Sequence, residues 1–460
     1  MNSIDDIQRA YFIGIGGIGM SALARYFKAN GIEVAGYDRV STGLTDQLAR
    51  EGMMVHFTDD ISAIPEAYRS TQGTLVVYTP AVPPLHSELR YFRDNHFDMV
   101  KRARALGMII ADKKSIAVAG THGKTTISTM LSHILTVAGV KTSAFLGGIS
   151  KNTGSNFRFE PGSHYIVVEA DEFDRSFLNL NPQMAVITAT DADHLDIYGS
   201  AEALEDTFNQ FASQVKPCGV LLLKKGLKIN YPRHVRRYNY SLSGDADFFA
   251  RDISREGFRY HFSLRTPGGT IDGISLQVYG RVNLENAVAA GALAWLAGAG
   301  EEGVREGLEG YTGVRRRFDV IIEQPGCLFI DDYAHHPEEL KAFISSVREA
   351  LPGKRLSGVF QPHLYTRTRD FAAGFARSLS ALDDVIILDI YPAREEPIAG
   401  VGPELILDNL TNTGEKIACS KEQLFKVVGE LNPEVLLTMG AGDIDQMVDP
   451  LKNLLLDKCR

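Results

Sequence analysis

Three stretches of this sequence share one order: an apolar strand, a short turn of glycine or polar residues, and then a helix. The first reads "RAYFIGIGGIGMSALARYFKANG", the second "IAVAGTHGKTTISTML" and the third "LFIDDYAHHPEELKAFISSVREAL". Each is followed by further apolar strands that alternate with helices, which is the pattern of a parallel α/β sheet. We therefore predict an α/β protein with three such units, whose boundaries fall near residues 107–112 and near Gly313.

Composition excludes several classes of protein. The chain has 460 residues, of which 44% are hydrophobic, and this is enough for about three domains. A net charge of -9 argues against a nucleic-acid-binding protein, which usually has a basic face. The cysteines are far apart and form no C-x-x-C pair, so neither a zinc ribbon nor a disulfide framework is predicted. The sequence shows no basic leader and no run of about 18 apolar residues, so we expect a cytoplasmic protein without membrane insertion.

The first turn matches the glycine fingerprint of dinucleotide-binding proteins. Gly14, Gly16 and Gly19 have the required spacing, and Asp38 follows at the end of the next strand. Such glycines let the backbone approach a pyrophosphate, and the acidic residue can bind a ribose hydroxyl. The pattern leaves the base of the nucleotide open, and a purely structural glycine turn is the alternative.

The second turn, Gly120 to Thr126, predicts a phosphate-binding loop. It is not a strict Walker A motif, because Val118 stands where that motif requires its first glycine. Lys124 can nevertheless neutralise phosphate oxygens, and Thr125 can place its hydroxyl on Mg²⁺. An ordinary capped helix is the alternative, but it would have no use for a lysine at this point.

Two later strands of the central region end in acidic runs, "VVEADEFD" and "TATDADHLD". Because the carboxyl ends of parallel strands line the crevice in which such sheets bind ligands, Glu169 and His194 are candidate Mg²⁺ ligands. Solvated loop carboxylates are the alternative for either run alone.

The third turn gathers acids and imidazoles in "DDYAHHP", and "QPHLYTRTRDF" follows the next strand. A zinc site is the competing interpretation of the histidine pair, but no cysteine lies nearby and the histidines are not at helical i, i+4 spacing. His363 and Arg367 stand after the second strand, where arginine suits a carboxylate or phosphate. Arg369 is expected to begin the next helix.

Together these motifs resemble the Mur ligases. The runs "GIGGIGM", "GTHGKTT", "EADE", "DADHLD", "VNLENAVAA", "RRRFD", "DDYAHHPEE" and "QPHLYTRTRDF" occur in the order and approximate spacing of that family, from about Ala10 to about Asp443. The resemblance implies a Rossmann-like domain for a uridine nucleotide at residues 1–110, a central ATP-binding domain at 111–313 and a Rossmann-like ligase domain at 314–460.

The resemblance also implies roles for individual residues. ATP would be bound by Gly120, Thr121, His122, Gly123, Lys124, Thr125 and Thr126, with Asn286, near Asn283, at the adenine and with Arg317 and Asp332 at the nucleotide. The metal ligands would be Thr125, Glu169 and His194. The uridine diphosphate would lie against Gly14, Gly16, Gly17, Gly19 and Asp38, and the amino acid against Tyr333, His335, His363 and Arg367.

The implied reaction joins L-alanine to UDP-N-acetylmuramate. ATP would phosphorylate the lactyl carboxylate, and the amine of alanine would displace phosphate from the acyl phosphate. Two Mg²⁺ ions, which Mn²⁺ could replace, and Lys124 would neutralise the charge. His335 is a candidate for accepting the amine proton. No nucleic-acid partner is expected, and the chain would act as a monomer or homodimer.

Two features depart from the wider family. Members often carry arginine directly after the Gln-Pro-His run, where this chain has Leu364, so Arg367 gains importance for binding the carboxylate. Sister ligases carry a carbamylated lysine on the helix after the Asp-His pair, whereas Ala201 to Val215 contains no lysine. Alanine-adding members also lack that lysine.

Three other functions remain open at this stage. A sister ligase that attaches a whole tripeptide to the same nucleotide shares nearly all of this chemistry. A nicotinamide-dependent oxidoreductase would use the first glycine turn but leave Lys124 unexplained. A regulatory ATPase would use Lys124 and leave the first domain without a role.

Overall fold

The computed structural model describes residues 6–191, 198, 200–393, 395–411 and 414–458. They form α/β elements in two compact units. The first unit covers Met1–Ser254, His261–Gln277 and Glu285–Thr312, and the second covers Arg255–Tyr260, Val278–Leu284 and Gly313–Arg460. No helix of the described residues is long and apolar enough to span a bilayer.

The first sheet is parallel and has the strand order β3-β2-β1-β4-β5. This is the order of a doubly wound nucleotide-binding sheet, in which the ligand crevice lies beside the first strand. Its elements are β1 (Arg9–Ile13), α1 (Ile18–Ala29), β2 (Glu33–Tyr37), α2 (Gly43–Arg50), β3 (Met54–His56), β4 (Thr74–Tyr78), α3 (Ser87–Asp94), β5 (Asp98–Lys101) and α4 (Arg102–Ile110).

The second sheet has ten strands in the order β15-β14-β13-β12-β11-β10-β6-β9-β7-β8. The central strand β6 pairs in parallel with β10 and β9, so the loop after β6 lies between two other strand ends. Its strands are β6 (Lys114–Ala119), β7 (Thr142–Phe145), β8 (Phe157–Arg158), β9 (Tyr165–Glu169), β10 (Met184–Ile187), β11 (Val220–Lys224), β12 (Arg236–Ser241), β13 (Phe248–Glu256), β14 (Arg259–Thr266) and β15 (Gly269–Leu276). The helices of this region are α5 (Lys124–Val137), α6 (Ala201–Ser213), α7 (Arg281–Leu296) and α8 (Gly300–Glu309).

Within the first unit, the first two sheets share a continuous apolar core. A polar contact adds to it, because Arg25 of α1 binds both Glu51 and the side chain of Asn156 next to β8. The Asn156 amide also donates to Ser21 Oγ at 2.9 Å and to the carbonyl of Ile18. The first turn of α1 is therefore held against the second sheet.

The third sheet belongs to the second unit and has the order β16-β17-β21-β18-β19-β20. In this sheet the β16–β17 pair is antiparallel, and the other pairings between its described strands are parallel. Its elements are β16 (Asp319–Gln324), β17 (Cys327–Asp332), α9 (Pro337–Ala350), β18 (Leu356–Phe360), α10 (Tyr365–Leu379), β19 (Asp384–Leu388), α11 (Glu404–Leu407), β20 (Lys416–Cys419), α12 (Lys421–Leu431), β21 (Val435–Met439) and α13 (Val448–Lys458).

One predicted helix start was wrong. Helix α10 begins at Tyr365 rather than at Arg369. No proline or glycine follows Pro362 in this run, so nothing in the local sequence delays the helix. The residue before the helix is Leu364, which has a φ of 71°. Arg367 therefore lies in the first turn of α10.

Candidate active site

The loop between β6 and α5 is shaped by two glycines. Gly120 and Gly123 have φ values of 127° and 82°, which residues with a Cβ rarely adopt. A Cβ at position 120 would also lie 2.1 Å from the hydroxyl of Thr188. Thr188 donates its N–H to Ala119 and its hydroxyl to the carbonyl of His122. The end of β10 therefore fixes the conformation of the loop.

Lys124 starts α5 and places its ammonium group inside this loop. Nζ donates to the carbonyl of Gly120 at 2.9 Å and to Oε1 of Glu172 at 2.8 Å. Burial lowers the pKa of Lys124, but the carboxylates of Glu172, Asp171 and Glu169 outweigh burial and raise it above its ordinary value. A buried, charged ammonium can neutralise the oxygens of a bound phosphate.

Thr125 and Glu169 provide oxygen ligands suited to a divalent metal ion. The Thr125 hydroxyl donates to Oε1 of Glu169 at 3.1 Å. Gly147 makes room for that carboxylate, because a Cβ there would lie 2.0 Å from Glu169 Oε2. Hard cations such as Mg²⁺ prefer this type of ligand. His194 lies outside the described residues, which contain no group of three or more His, Cys, Asp or Glu able to hold a metal.

Thr121 shows a second sign of a ligand at this loop. Its side chain is 7% exposed, and its hydroxyl has no hydrogen-bond partner among the residues that the structure describes. Buried hydroxyls normally have partners, so a phosphate oxygen bound in the loop would satisfy it. The residues present therefore fit a nucleoside triphosphate.

Three further residues predicted for the ATP site, His122, Asn286 and Thr126, lie in this loop or next to it. His122 is 41% exposed, and its Nε2 lies 3.6 Å from Asp191. Asn286 Oδ1 lies 2.7 Å from the position of a Cβ on Gly123. Thr126 accepts a long hydrogen bond from Tyr311 through its carbonyl. Asn283, by contrast, donates its amide to the carbonyl of Tyr279 at 2.7 Å.

The glycine fingerprint forms a tight turn between β1 and α1. Gly14 has a φ of 90°, and Gly17 donates its N–H to the carbonyl of Gly14. Asp38 accepts the N–H of Gly16 at 2.7 Å through one carboxylate oxygen and the N–H of Arg39 at 2.7 Å through the other. The acidic residue thus fixes the loop backbone, which the sequence pattern did not indicate.

Gly19 makes room for the guanidinium of Arg102. A Cβ at Gly19 would lie 2.9 Å from Nη1 of Arg102. The same guanidinium lies 3.4 Å from the carboxylate of Asp171. The basic run around Arg102 is short, and its sequence alone gave no indication that it would meet the glycine loop.

In the second unit, the end of β17 places Asp332 and Tyr333. Asp332 is buried and accepts the N–H groups of Phe318 at 2.6 Å and Ala334 at 2.8 Å. Burial raises the pKa of Asp332 to about 6, although nearby Arg317 opposes the rise. The Tyr333 ring lies 5.1 Å from the guanidinium of Arg317. Asp332 therefore shapes the loop that carries the aromatic ring.

Tyr333 has a second guanidinium neighbour. Arg316 also lies 5.1 Å from the ring, and its Nε contacts the carboxylate of Asp331 at 3.3 Å. Within "RRRFD" the sequence could not distinguish these adjacent arginines.

His335, His363 and Arg367 come together in the second unit. The rings of His335 and His363 are 6.3 Å apart, and Arg367 Nη1 donates to Nδ1 of His363 at 3.3 Å. His335 Nδ1 is 3.0 Å from the carbonyl of Tyr333. Since a carbonyl only accepts, Nδ1 carries a proton and Nε2 is the basic nitrogen of the neutral ring. Burial lowers the pKa of His335, which favours that neutral form.

The two adjacent histidines both donate their backbone N–H groups to Oε2 of Glu339, at 3.0 and 3.3 Å, but their rings have different aromatic neighbours. His336 caps α9, and its ring packs against Phe371 with centroids 4.9 Å apart. His335 instead bonds to the Tyr333 carbonyl, and Tyr391 stacks on His363 with centroids 5.7 Å apart. The arrangement of His335 and His336 therefore does not favour a zinc site.

In the second sheet, a glycine loop after a central parallel strand holds the buried Lys124 next to the Thr125–Glu169 pair. This arrangement is typical of enzymes that use a nucleoside triphosphate with a divalent metal ion. Comparison with known families gives three matches along the chain. They are "Mur ligase family, catalytic domain" at residues 9–114, "Mur ligase middle domain" at 118–294 and "Mur ligase, glutamate ligase domain" at 316–442.

Individual proteins match over the full length. The chain is 50% identical over 460 residues to the UDP-N-acetylmuramate--L-alanine ligase of Parabacteroides distasonis, covering 99% of each chain. It is also 50% identical over 457 residues to the enzyme of the same name from Porphyromonas gingivalis, covering 98% of this chain and 100% of that protein. The solved UDP-N-acetylmuramate-alanine ligase of Thermotoga maritima has a TM-score of 0.80 at 26% identity, with 98% of each chain covered.

This chain belongs to the Mur ligase family. Members are ATP-dependent ligases that form amide bonds, so the family implies ATP and a divalent metal ion. The resemblance and the α/β class predicted from the sequence are thereby confirmed.

Proposed function

We propose that this enzyme joins L-alanine to the lactyl carboxylate of UDP-N-acetylmuramate with consumption of ATP, in the synthesis of peptidoglycan precursors. The observation that carries the proposal is the 50% identity, over 99% of the chain, to a ligase named for that reaction. Phosphorylation of the carboxylate gives an acyl phosphate, from which the amine of alanine displaces phosphate.

In the first half-reaction, both reacting groups are anionic. The ammonium of Lys124 reduces their repulsion, and the oxygens of Thr125 and Glu169, with His194, would hold Mg²⁺, for which Mn²⁺ is a possible substitute. When bound, the ion screens phosphate charge and polarises the transferred group. Thr121 supplies a hydroxyl, and Asn286 supports the loop from the side that we assign to adenine.

The uridine diphosphate is assigned to the turn formed by Gly14, Gly16, Gly17 and Gly19. Helix α1 directs N–H groups and the positive end of its dipole towards this turn. Asp38 already binds two backbone N–H groups. A carboxylate has about four acceptor positions, so Asp38 can hold the loop and still accept a ribose hydroxyl.

Alanine is assigned to the cluster in the second unit. Arg367 binds the carboxylate of alanine, with Tyr333 and His363 beside it. His335 accepts the proton that the amine loses, because its Nε2 is the basic nitrogen and its lowered pKa keeps the ring neutral at physiological pH. Arg317 and Asp332 are assigned to the nucleotide.

An ADP-release assay tests the proposal. The purified protein is incubated with ATP, Mg²⁺ and UDP-N-acetylmuramate, and alanine, glycine, serine or the L-Ala-D-Glu-diaminopimelate tripeptide is added in turn. Alanine should give the highest kcat/KM. Preference for the tripeptide would assign the chain to the murein-recycling reaction, and ADP release without any amine would indicate an ATPase of another kind.

We also propose a cytoplasmic location, since the nucleotide substrates belong to that compartment, and a monomer or homodimer in solution. Cell fractionation tests the location. Light scattering coupled to gel filtration tests the oligomeric state, and a tetramer or larger assembly would contradict it.

A further inference from the structure

Glu172 is buried against the phosphate loop, where it pairs with Lys124. Its side chain is 1% exposed, and Oε1 lies 2.8 Å from the lysine Nζ. Burying a carboxylate is unfavourable unless a cation and hydrogen bonds accompany it. A second carboxylate so near a triphosphate site also repels the ligand, so the position of Glu172 needs a reason beyond packing.

The backbone at Glu172 is held from two sides. Its carbonyl accepts the hydroxyl of Tyr198 at 2.5 Å and the N–H of Arg175 at 2.8 Å. The residue directly precedes the 3₁₀ helix Phe173–Asn179. The side chain therefore starts from a fixed point, as is required of a group that orients another.

The contacts of Lys124 account for two of its three N–H donors. One goes to the Gly120 carbonyl and one to Glu172, so, among the residues that the structure describes, these contacts leave one donor for a phosphate oxygen. A lysine side chain has many rotamers and loses considerable entropy when it is held in one. With two acceptors already in place, the direction of the third donor is set before ATP binds.

We propose that Glu172 is a positioning residue that holds Lys124 in the orientation needed for phosphoryl transfer. The inference rests on the proposed function of the Lys124 loop. Glu169 and Glu172, three positions apart, thus have separate tasks, because Glu169 bonds to Thr125 whereas Glu172 bonds to Lys124.

Two variants of Glu172 test the inference. Glu172→Gln keeps an acceptor oxygen but removes the charge, and Glu172→Asp keeps the charge but withdraws the carboxylate by one methylene. We measure kcat for ADP release, the affinity for a non-hydrolysable ATP analogue, the affinity for UDP-N-acetylmuramate and the melting temperature. The matched control is Glu160→Gln, which removes an acid paired with Arg158 in the same unit.

Both Glu172 variants should lower kcat by about tenfold or more, since small misplacements of a catalytic group have effects of that size. Affinity for the ATP analogue should stay the same or increase in Glu172→Gln, because a negative charge near the phosphates is gone. UDP-N-acetylmuramate binding should not change. Glu160→Gln should behave as the wild type.

The inference is overturned if both variants keep the wild-type kcat. It is also overturned if kcat falls only in parallel with the melting temperature and the UDP-N-acetylmuramate affinity, which would show a structural ion pair. A wild-type protein that releases no ADP with alanine would instead contradict the proposed function.

Discussion

Three acidic residues at the end of β9 and directly after it have three different partners. Glu169 accepts a hydrogen bond from Thr125, Asp171 lies next to Arg102, and Glu172 binds Lys124. The single run "EADE" thereby supplies a candidate metal ligand, a contact to Arg102 beside the first glycine loop, and a partner for Lys124. The sequence identified the run as functional but assigned a role only to its first member.

At the residue scale, Lys124→Ala should reduce ATP turnover to below detection. The variant loses the cation that faces the phosphates and leaves Glu172 buried without its lysine, so the melting temperature should also fall by a few degrees. ADP release and circular dichroism measure the two effects. A folded variant with unchanged turnover would contradict the phosphate-loop assignment.

Arg367→Ala should raise the KM for L-alanine by at least about tenfold. Truncating one partner of a desolvated charge pair costs about 2 to 5 kcal/mol, and about 1.4 kcal/mol corresponds to a factor of ten. The KM for ATP should change little. Steady-state kinetics with each substrate varied in turn provide the measurement.

Arg369→Ala is the matched control for that prediction. Arg369 lies two residues further along α10, is half exposed, and pairs with its neighbour Asp370 at 2.8 Å. The assignment to Arg367 fails if the Arg369 variant shows the large alanine defect and the Arg367 variant does not.

At the scale of elements, a buried polar cluster ties β1, β3 and α3 together. The Tyr11 hydroxyl donates to Glu88 at 2.8 Å, and His56 Nε2 lies 2.8 Å from Tyr11 and 3.3 Å from Glu88. Burial raises the pKa of Glu88 to about 8, with Asp59 and Asp60 adding to the rise and Tyr11 opposing it. Burial lowers the pKa of His56.

This cluster predicts how stability depends on pH. Between the ordinary glutamate pKa of about 4.3 and the raised value of about 8, the unfolded chain loses the Glu88 proton while the folded chain keeps it. Stability therefore falls as pH rises through that window. His56 acts in the opposite direction, but only below its ordinary pKa of about 6.5.

Glu88→Gln should remove the fall in folding stability that Glu88 causes between about pH 6.5 and 8. The melting temperature of the wild type should fall over that range by about 2 °C more than that of the variant. Thermal unfolding at several pH values measures the difference. Parallel curves for the two proteins would show that Glu88 is already ionised in the folded chain.

Helix α6 gives a second prediction at this scale. The segment from Ala201 to Val215 contains no lysine, so no carbamylated lysine on this helix can hold a metal ion. Turnover in CO₂-depleted buffer should therefore equal that of the untreated enzyme within about twofold, because Mg²⁺ readily keeps water ligands. A strong rescue by added bicarbonate would show that a lysine elsewhere has this role.

At the scale of the whole molecule, the first unit contains two separate glycine loops. One follows β1 of the first sheet, and the other follows β6 of the second sheet. We expect calorimetry to detect UDP-N-acetylmuramate binding at the first loop and no binding of NAD. Gly16→Val should weaken the binding of UDP-N-acetylmuramate by about tenfold or more, because a Cβ there would lie 2.6 Å from the Thr45 side chain and 2.9 Å from the Asp38 carboxylate.

Binding of the ATP analogue should be unaffected in Gly16→Val, since we assign that ligand to the second loop. NAD binding that is lost in the same variant would instead favour an oxidoreductase. The boundaries at residues 110 and 313 stay predictions. The described chain forms two compact units, and the first two sheets lie together in the first unit.

The sequence by itself determined the order of elements and the location of the two glycine loops. The signals are local: glycines that need positive φ, a lysine between glycine and threonine, and short apolar strands each depend on a few neighbouring residues, so their pattern can be read from the sequence. The motif order also led to the family, which the full-length relatives confirm.

Only the tertiary structure decided which polar groups meet. Lys124 and Glu172 are 48 positions apart, and Arg102 and Asp171 are 69 apart. The backbone N–H groups that Asp38 and Asp332 bind were likewise not indicated by the sequence, and their contacts with a ligand stay predictions. Such pairings depend on how distant strands and helices pack, and a buried charge is stable only where that packing supplies its partner.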